Sequence, residues 1–466
     1  MHPTPSSVEA QPLRTASWGA VVALSLGAFT LVASEFMPVS LLTPIATDLH
    51  ISQGQAGQSI AVSGLFALLT SLSIAQLAGR LDRKVLLLGL TLLTIVSGTI
   101  AAFAPNYPVF MVGRAFIGVA IGGFWSMSAA TAMRLVPERD VPRALAIVNG
   151  GNALATVIAA PLGSFLGSLV GWRWAFFAIV PVAAIAFCWK LASLQKMPPA
   201  GASRSGNAFG LLKQPTVALG LVAVSVFFMG QFALFTYLRP FLETVTHVAP
   251  ATLSVMLLVV GVAGFAGTAL IGRFLGAGLS TTLAVIPAIM VVIGIALILF
   301  GDSLGVTTFL LAAWGLVGTA APVGWWTWLA RTLPNDAEAG GGLMVAIVQL
   351  AITLGATLGG LLFDSSGYQA TFALSAVLLA AATGLALWLR RLELRKQSLP
   401  EPHATRQHQR HAGLPRGRAG AQLHPGGGPA RPLAVGAEPH DPGAGGAAWG
   451  PPAHPHHAQC LADGSR

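Results

Sequence analysis

The chain has 466 residues, of which 54% are hydrophobic and 9% charged, with a formal net charge of +10. An ordinary soluble domain carries roughly 25% charged residues, so the composition excludes a large water-soluble fold and makes a membrane the solvent for most of the chain. Two cysteines, Cys188 and Cys460, give neither a disulfide framework nor a CxxC metal site, and the basic residues lie between apolar runs and in a tail, which excludes a nucleic-acid surface.

Residues 1–17 form a short leading segment. Twelve apolar runs follow, at 18–42, 57–79, 84–104, 108–132, 143–168, 172–192, 216–238, 250–275, 280–300, 306–330, 340–363 and 369–390. A helix needs about 20 residues to cross a bilayer, and these runs are continuous rather than alternating, which excludes a transmembrane barrel. The expected fold is an all-α membrane protein of twelve transmembrane helices. No connecting loop is long enough to house a soluble catalytic domain, and an enzyme is not expected. The first run is too long for a signal-peptide core and is expected to be retained.

Placing the N-terminus in the cytoplasm puts 17 Lys or Arg on inside segments, Lys190 among them, and only Arg173 and Arg239 outside. That bias sets both termini inside, with anionic lipid as the partner of the basic belt. A polar connection at 193–215 separates an N-terminal six-helix half, 18–192, from a C-terminal one, 216–390. The remainder, 391–466, changes character. Residues 397–466 contain 23 Gly plus Pro and eight of the eleven histidines, cannot offset the entropy of ordering, and are expected to be disordered. Their mix resembles a GC-rich gene read out of frame. The histidines of HPHHAQC (454–460) are not preorganised, so no metal or other cofactor is expected.

The halves echo each other. LAGRL (77–81) is matched by LIGRF (270–274), GWRWAFF (171–177) by GYQATFA (367–373), and GFWS (123–126) by GWWT (324–327), at offsets of 193 to 201. Pseudo-symmetric halves joined by a polar inside loop describe a transporter whose site lies at the half interface. AQLAGRLDRK (75–84), the Arg114 and Gly118 pair, and APLGSFLG (160–167) then make the resemblance specific. The chain resembles the major facilitator superfamily, in its drug and metabolite:proton antiporter branch. Against that family's G-x-L-x-D-R-x-G-R-R/K loop, it keeps Leu77, Arg80, Arg83 and Lys84 and departs at Ala75, Gly79 and Asp82. EFMPVSLLTPIATDL (35–49), GGFWSMSAATAMRLVP (122–137), GQFALFTYLRP (230–240) and PVGWWTWLAR (322–331) look closer still to bacterial purine ribonucleoside efflux pumps of that branch. The resemblance covers about 18–390. It implies proton-driven export of inosine- or guanosine-like nucleosides and purine base analogues across a bacterial inner membrane by a monomer. It also implies gating by Arg80, Asp82, Arg83 and Lys84.

Glu35 is the acid set well inside an apolar run, and it needs a watery cavity, a partner or a proton. A proton suits a carrier that exposes the group to each side in turn; simple hydration near the outer interface is the alternative. Arg114 sits at comparable depth in the fourth span. It is expected either to ease proton release from Glu35 or to be capped by backbone carbonyls. The resemblance implies that spans one, four, seven and ten line the cavity. A nucleoside needs flat apolar surfaces and hydrogen-bonding edges, offered by Phe124, Trp125, Ser126 and Ser128, by Gln231, Phe232 and Tyr237, and by Trp325, Trp326 and Trp328. Asn149 and Asn152 share a face of the fifth span, and Gln349 lies mid-span in the eleventh. Aromatic belts and helix-joining amides are the alternative roles of these residues. Pro161 is expected to bend the fifth span. Export of sugars or amphipathic drugs on the same scaffold, and a membrane sensor without transport, stay open.

Overall fold

The computed structural model describes residues 16–78, 81–197, 208–333 and 337–397. Every regular element among them is a helix. A first bundle contains α1 (Trp18–Asp48), α2 (Gln53–Ala78), α3 (Arg83–Ala102), α4 (Tyr107–Leu135), α5 (Val141–Val170), a short α6 (Trp172–Phe177) and α7 (Ile179–Ser193). A second contains α8 (Pro215–Phe235), α9 (Leu238–Thr244), α10 (Pro250–Leu270), α11 (Gly272–Phe300), α12 (Leu304–Gly318), α13 (Ala321–Thr332) and α14 (Ala337–Gln397). Arg80 and residues 398–466 of the expected 391–466 tail lie outside the described residues, as does part of the 193–215 connection.

Eleven helical stretches among the described residues are long and apolar enough to cross a membrane. Their starts carry local signals. Pro occupies the first turn of α4, α5, α8, α10 and α13, where its missing N–H has no helical partner to lose. The Asn106 side chain caps α4 by accepting from Val109 N at 3.1 Å, and Asp82 caps α3 by accepting from Lys84 N at 2.7 Å.

Two differences from the sequence reading stand out. The first helix runs on to Asp48 through Pro38 and Pro44, because the carbonyls those prolines orphan find other donors, described below. The seventh run breaks at Thr236–Tyr237 and the tenth at Thr319–Ala320, which divides α8 from α9 and α12 from α13. Residues 337–397 kink at Gly367, whose backbone is non-helical, so that two helices meet there as the runs 340–363 and 369–390 lead one to expect.

The repeat seen in the sequence recurs in the backbone. The four positive-φ residues among those described fall into two pairs. His50 (φ 52°) and His247 (φ 56°) each follow the first long stretch of their bundle. Gly171 (φ 86°) and Gly367 (φ 78°) each begin the GWRWAFF and GYQATFA echoes. Glycine meets the left-handed conformation without a Cβ clash, which is why these two echo positions are glycines.

Apolar packing follows the same division. One buried cluster draws mainly on residues 211–389, and two draw on residues 20–197, with Tyr237 inserted into one of them. Hydrogen bonds between the bundles form a seam toward the end opposite residues 16 and 397. There Asp364 accepts from Ser52 Oγ at 2.5 Å and from Gly54 N at 2.8 Å. Arg239 of α9 donates to the carbonyl of Ser40 in α1. Ser254 Oγ lies 2.9 Å from Ser164 Oγ. Deeper along α2 and α14, Thr357 donates to Gln58 at 3.1 Å and Thr353 to the Ala61 carbonyl at 3.2 Å.

Candidate functional site

The prolines of α1 organise the site. Pro38 has no N–H to offer the carbonyl of Ser34, and Pro44 none to offer that of Ser40. A bare carbonyl inside an apolar bundle is costly unless it finds a donor. Arg114 of α4 supplies one, donating from Nη1 to Ser34 O at 2.8 Å. Its Nη2 donates to Glu35 O and to Ser63 Oγ, both at 3.1 Å, and its Nε to Ser59 O at 3.1 Å. The guanidinium is thus satisfied by α1 and α2 and is 1% exposed. Gly118, one turn along α4, makes this reach possible: a Cβ there would collide with the Ser63 carbonyl, so only glycine lets α2 come this close. Of the two roles expected for Arg114, the hydrogen bonds are those of backbone capping. Its charge nevertheless lies beside Glu35.

Glu35 is buried, 5% exposed. Its carboxylate accepts from Gln349 Nε2 at 3.3 Å, a bond that crosses from α1 to α14. Along α14 the cross-bundle contacts descend through Asp364, Thr357 and Thr353 to Gln349, so the Glu35–Gln349 pair is the innermost layer of the seam. Next to Glu35, the half-buried Phe36 stacks on Phe232 of α8 with ring centroids 5.8 Å apart. Gln231 carries a buried Oε1 with no hydrogen-bond partner. Glu35, Gln349, Phe36 and Phe232 therefore gather where α1, α8 and α14 meet, while the Gln231 amide lies against Gly318 of α12. The four offer an acid, an amide and flat apolar rings in one place.

Other expected residues lie at varying distance from that centre. Trp125 is half-buried between the two clusters of the first bundle, edge-on to Phe124 at 5.5 Å; Phe124 itself is buried in the core. Ser126 donates to Gly122 O at 2.8 Å and Ser128 to Trp125 O at 3.5 Å, both within α4. Asn149, Asn152 and Thr156 form a polar stripe on α5, about half a turn from the exposed Leu154 and Phe165. Asn149 donates to Leu145 O at 2.9 Å and is exposed. Tyr237 is wholly buried in the seam, between Gly57 and Gly360, and donates to Ala356 O at 2.7 Å. Trp325 and Trp328 are buried edge-on to each other at 5.9 Å in the second bundle, whereas Trp326 is exposed.

The expected gating residues fall at the other end. Asp82 accepts from Met197 N at 3.1 Å as well as capping α3, and Lys84 Nζ donates to Leu191 O at 2.9 Å. Both therefore pin the start of α3 to the end of α7. Arg83 also ties to that segment, through its backbone N–H to Met197 O at 3.1 Å. Pro161 is buried inside α5, and the Val157 carbonyl it leaves free faces Gly261 of α10.

Four features escaped the sequence reading: Phe36, the Arg239–Ser40 crossing, Asp364 at the start of α2, and Lys190. Arg239 was assigned to an outside loop and Lys190 to an inside one. Both are buried, at 5% and 1% exposure. Lys190 Nζ donates to Thr91 Oγ1 at 2.8 Å and lies 5.4 Å from the Phe124 ring centroid. The sequence carried one usable signal, the prolines inside an apolar run, since each marks a carbonyl four residues earlier that requires an outside donor.

Comparison with known proteins adds to this geometry. The profile described as Major Facilitator Superfamily matches residues 24–346. The chain is 60% identical over 381 residues to a Pseudomonas aeruginosa protein named transcription regulatory protein OpdE, covering 81% of this chain and 94% of that one. It is 40% identical over 363 residues to the purine ribonucleoside efflux pump NepI of Escherichia coli, covering 78% and 92%. In fold it matches an inward-facing, occupied bacterial homologue of the human lysosomal transporter Spinster, with a TM-score of 0.69 at 16% identity over 84% of this chain and 100% of that chain.

Proposed function

The chain belongs to the major facilitator superfamily, and from that premise we propose that it exports purine ribonucleosides and purine base analogues from a bacterial cytoplasm in exchange for protons. In this reading the 61-residue α14 is two spans divided at Gly367, giving twelve spans in two halves, 18–192 and 216–390, with both termini cytoplasmic and the protein working as a monomer in the inner membrane. The seam then closes the periplasmic end, and the arrangement is inward-facing.

The observation that carries the proposal is the Glu35–Gln349 bond, an acid on one bundle held by an amide on the other at the deepest layer of the seam. Rocking the halves apart must break it. A carboxylate can only accept from Gln349, whereas a protonated carboxyl can also donate to that amide's oxygen, so a proton on Glu35 favours the closed seam and the return to the inward-facing state. Substrate enters from the cytoplasm and lies against Phe36, Phe232 and Trp125. Gln231, Gln349 and the Asn149–Asn152 stripe supply hydrogen bonds to base edges and ribose. On the periplasmic side a proton takes Glu35 as the substrate leaves. NepI, 40% identical and named for purine ribonucleoside efflux, supports the substrate class.

The test is a proteoliposome assay with an imposed pH gradient and labelled inosine, guanosine, a pentose and a lipophilic cation. Nucleoside movement that collapses when the gradient is dissipated is the expected result. Gradient-independent movement would overturn proton coupling, and preference for the pentose or cation would move the substrate class. A second reading is favoured by the name of the 60% identical relative: a membrane sensor whose ligand occupancy governs transcription. It gives nucleoside binding in the same liposomes with no translocation under any gradient.

A further inference from the structure

At the end carrying residues 16 and 397, the second bundle contains a polar cavity of about 440 Å³. The backbone of α11 is non-helical at Gly278 (φ −160°, ψ 51°), so a new helical run begins there, and Ser280 and Thr281 line the cavity. Arg331 of α13 and Arg390 of α14 face it from the other sides. The one acid on its wall, Glu393, is already engaged: it accepts from Ser280 Oγ at 2.5 Å and from Trp328 Nε1 at 3.0 Å. No carboxylate forms an ion pair with either arginine among the described residues. Two guanidiniums against one carboxylate leave the cavity with a net charge of +1.

The first bundle shows what belongs at such a corner. There the start of α3 is capped by the carboxylate of Asp82, which is also held by Met197 N. In the second bundle a glycine stands at the start of the corresponding run, and the cavity occupies the corner instead. An anion there would meet main-chain N–H groups and two arginines.

A second, apolar groove of about 480 Å³ adjoins it, and Thr281 lines both. The groove follows one face of α11 through Val285 and Ile289, against Leu270, Phe274 and Leu316. Eight residues of helix carry it about 12 Å along the membrane direction.

We propose that these two cavities together bind one anionic phospholipid, with its phosphate between Arg331 and Arg390 and an acyl chain in the groove. A free phosphate shares the headgroup chemistry, but it has no use for the groove.

The test uses the purified full-length chain in detergent, with phosphatidylglycerol or phosphatidylcholine of the same acyl chains, or inorganic phosphate, added. Native mass spectrometry and thermal unfolding are the readouts. Phosphatidylglycerol should be retained and raise Tm, and phosphatidylcholine should not. The double variant R331Q/R390Q should lose about 30-fold in phosphatidylglycerol affinity, from roughly fivefold for each arginine. If that double variant fails to fold, R390Q alone should lose the fivefold share. V285W fills the groove and leaves the arginines, and it should lose lipid retention too. Equal retention of the two lipids, or retention unchanged in R390Q, would overturn the proposal. Inorganic phosphate raising Tm as much as the lipid, with V285W indifferent, would make this a free-phosphate site and overturn it likewise.

Discussion

Arg239 of α9 donates a hydrogen bond to the main-chain carbonyl of Ser40 in α1, the carbonyl that Pro44 leaves without its helical donor. Arg114 does the same for Ser34, which Pro38 leaves bare. One helix thus carries two proline-made acceptors, one answered from within its own bundle and one from the other bundle. The first is a folding contact. The second has to be released whenever the bundles part at that end.

Arg239→Met should therefore weaken the seam, and it also removes the ion pair that Arg239 Nε makes with Glu243 of α9 at 2.7 Å. A hydrogen bond to a charged donor contributes about 1.5–3 kcal/mol, roughly a 10- to 150-fold shift toward the open-seam state. A cysteine placed at Ser52 should become reactive to a membrane-impermeant maleimide in the variant. No change in labelling would remove the latch role.

Arg114→Met should cost stability, because it leaves the Ser34 carbonyl without a donor, at about 1–3 kcal/mol. Arg114→Lys should rescue little, since one ammonium cannot reach α1 and α2 in the same planar geometry. Pro38→Ala restores an N–H for Ser34 and should recover about 1 kcal/mol of the Arg114→Met loss in a double-mutant cycle. Additive losses in thermal unfolding would break the link between the two residues.

Glu35→Gln should leave Tm within a few degrees of wild type, because a neutral amide still pairs with Gln349. Net nucleoside efflux should fall by at least about tenfold, the share of a group acting in proton transfer. For the wild type, raising the outside pH toward the inside pH should slow efflux, because fewer outside protons reach Glu35. In the variant that pH response should be flat. Wild-type pH dependence in the variant would remove Glu35 from the coupling.

Asp364→Asn should loosen the start of α2. Its carboxylate holds Ser52 and Gly54, and losing such a cap costs about 0.5–2 kcal/mol. Hydrogen exchange at residues 52–56 should rise with the rest of α2 unchanged. Protection equal to wild type would show that the cap contributes nothing there.

Lys190→Met should be neutral or stabilising. Lys190 is buried with a single hydrogen bond, to Thr91. Replacing a buried charge by an apolar side chain of similar length often raises stability. A drop in Tm of more than about 5 °C would give the ammonium a structural role that its contacts do not suggest.

Much of the fold was legible because hydrocarbon thickness and helical rise leave few choices for long apolar runs. The echo at Gly171 and Gly367 was also legible, since a left-handed turn demands the same residue twice. Glu35 stood out because an acid in an apolar run has few places to go. The pairing across bundles was not legible. Nothing in the order of residues says that Gln349 faces Glu35, or that Arg239, counted as a loop cation, turns inward to Ser40. Those outcomes depend on the angle at which the bundles meet. Lys190 misled for a related reason: a lysine near a helix end usually snorkels to water, and here the side chain turns into the bundle to reach Thr91.

The described seam joins its two bundles without an ion pair. Its partners are carbonyls, hydroxyls, amides and peptide N–H groups, with charge on at most one side of each bond. Dissolved salt screens charge against charge over about 10 Å at 0.1 M and has little purchase on such contacts. The closed seam should therefore hold nearly constant from dilute buffer to brine, and under the proposed function transport should follow the proton gradient and the substrate rather than the surrounding ions.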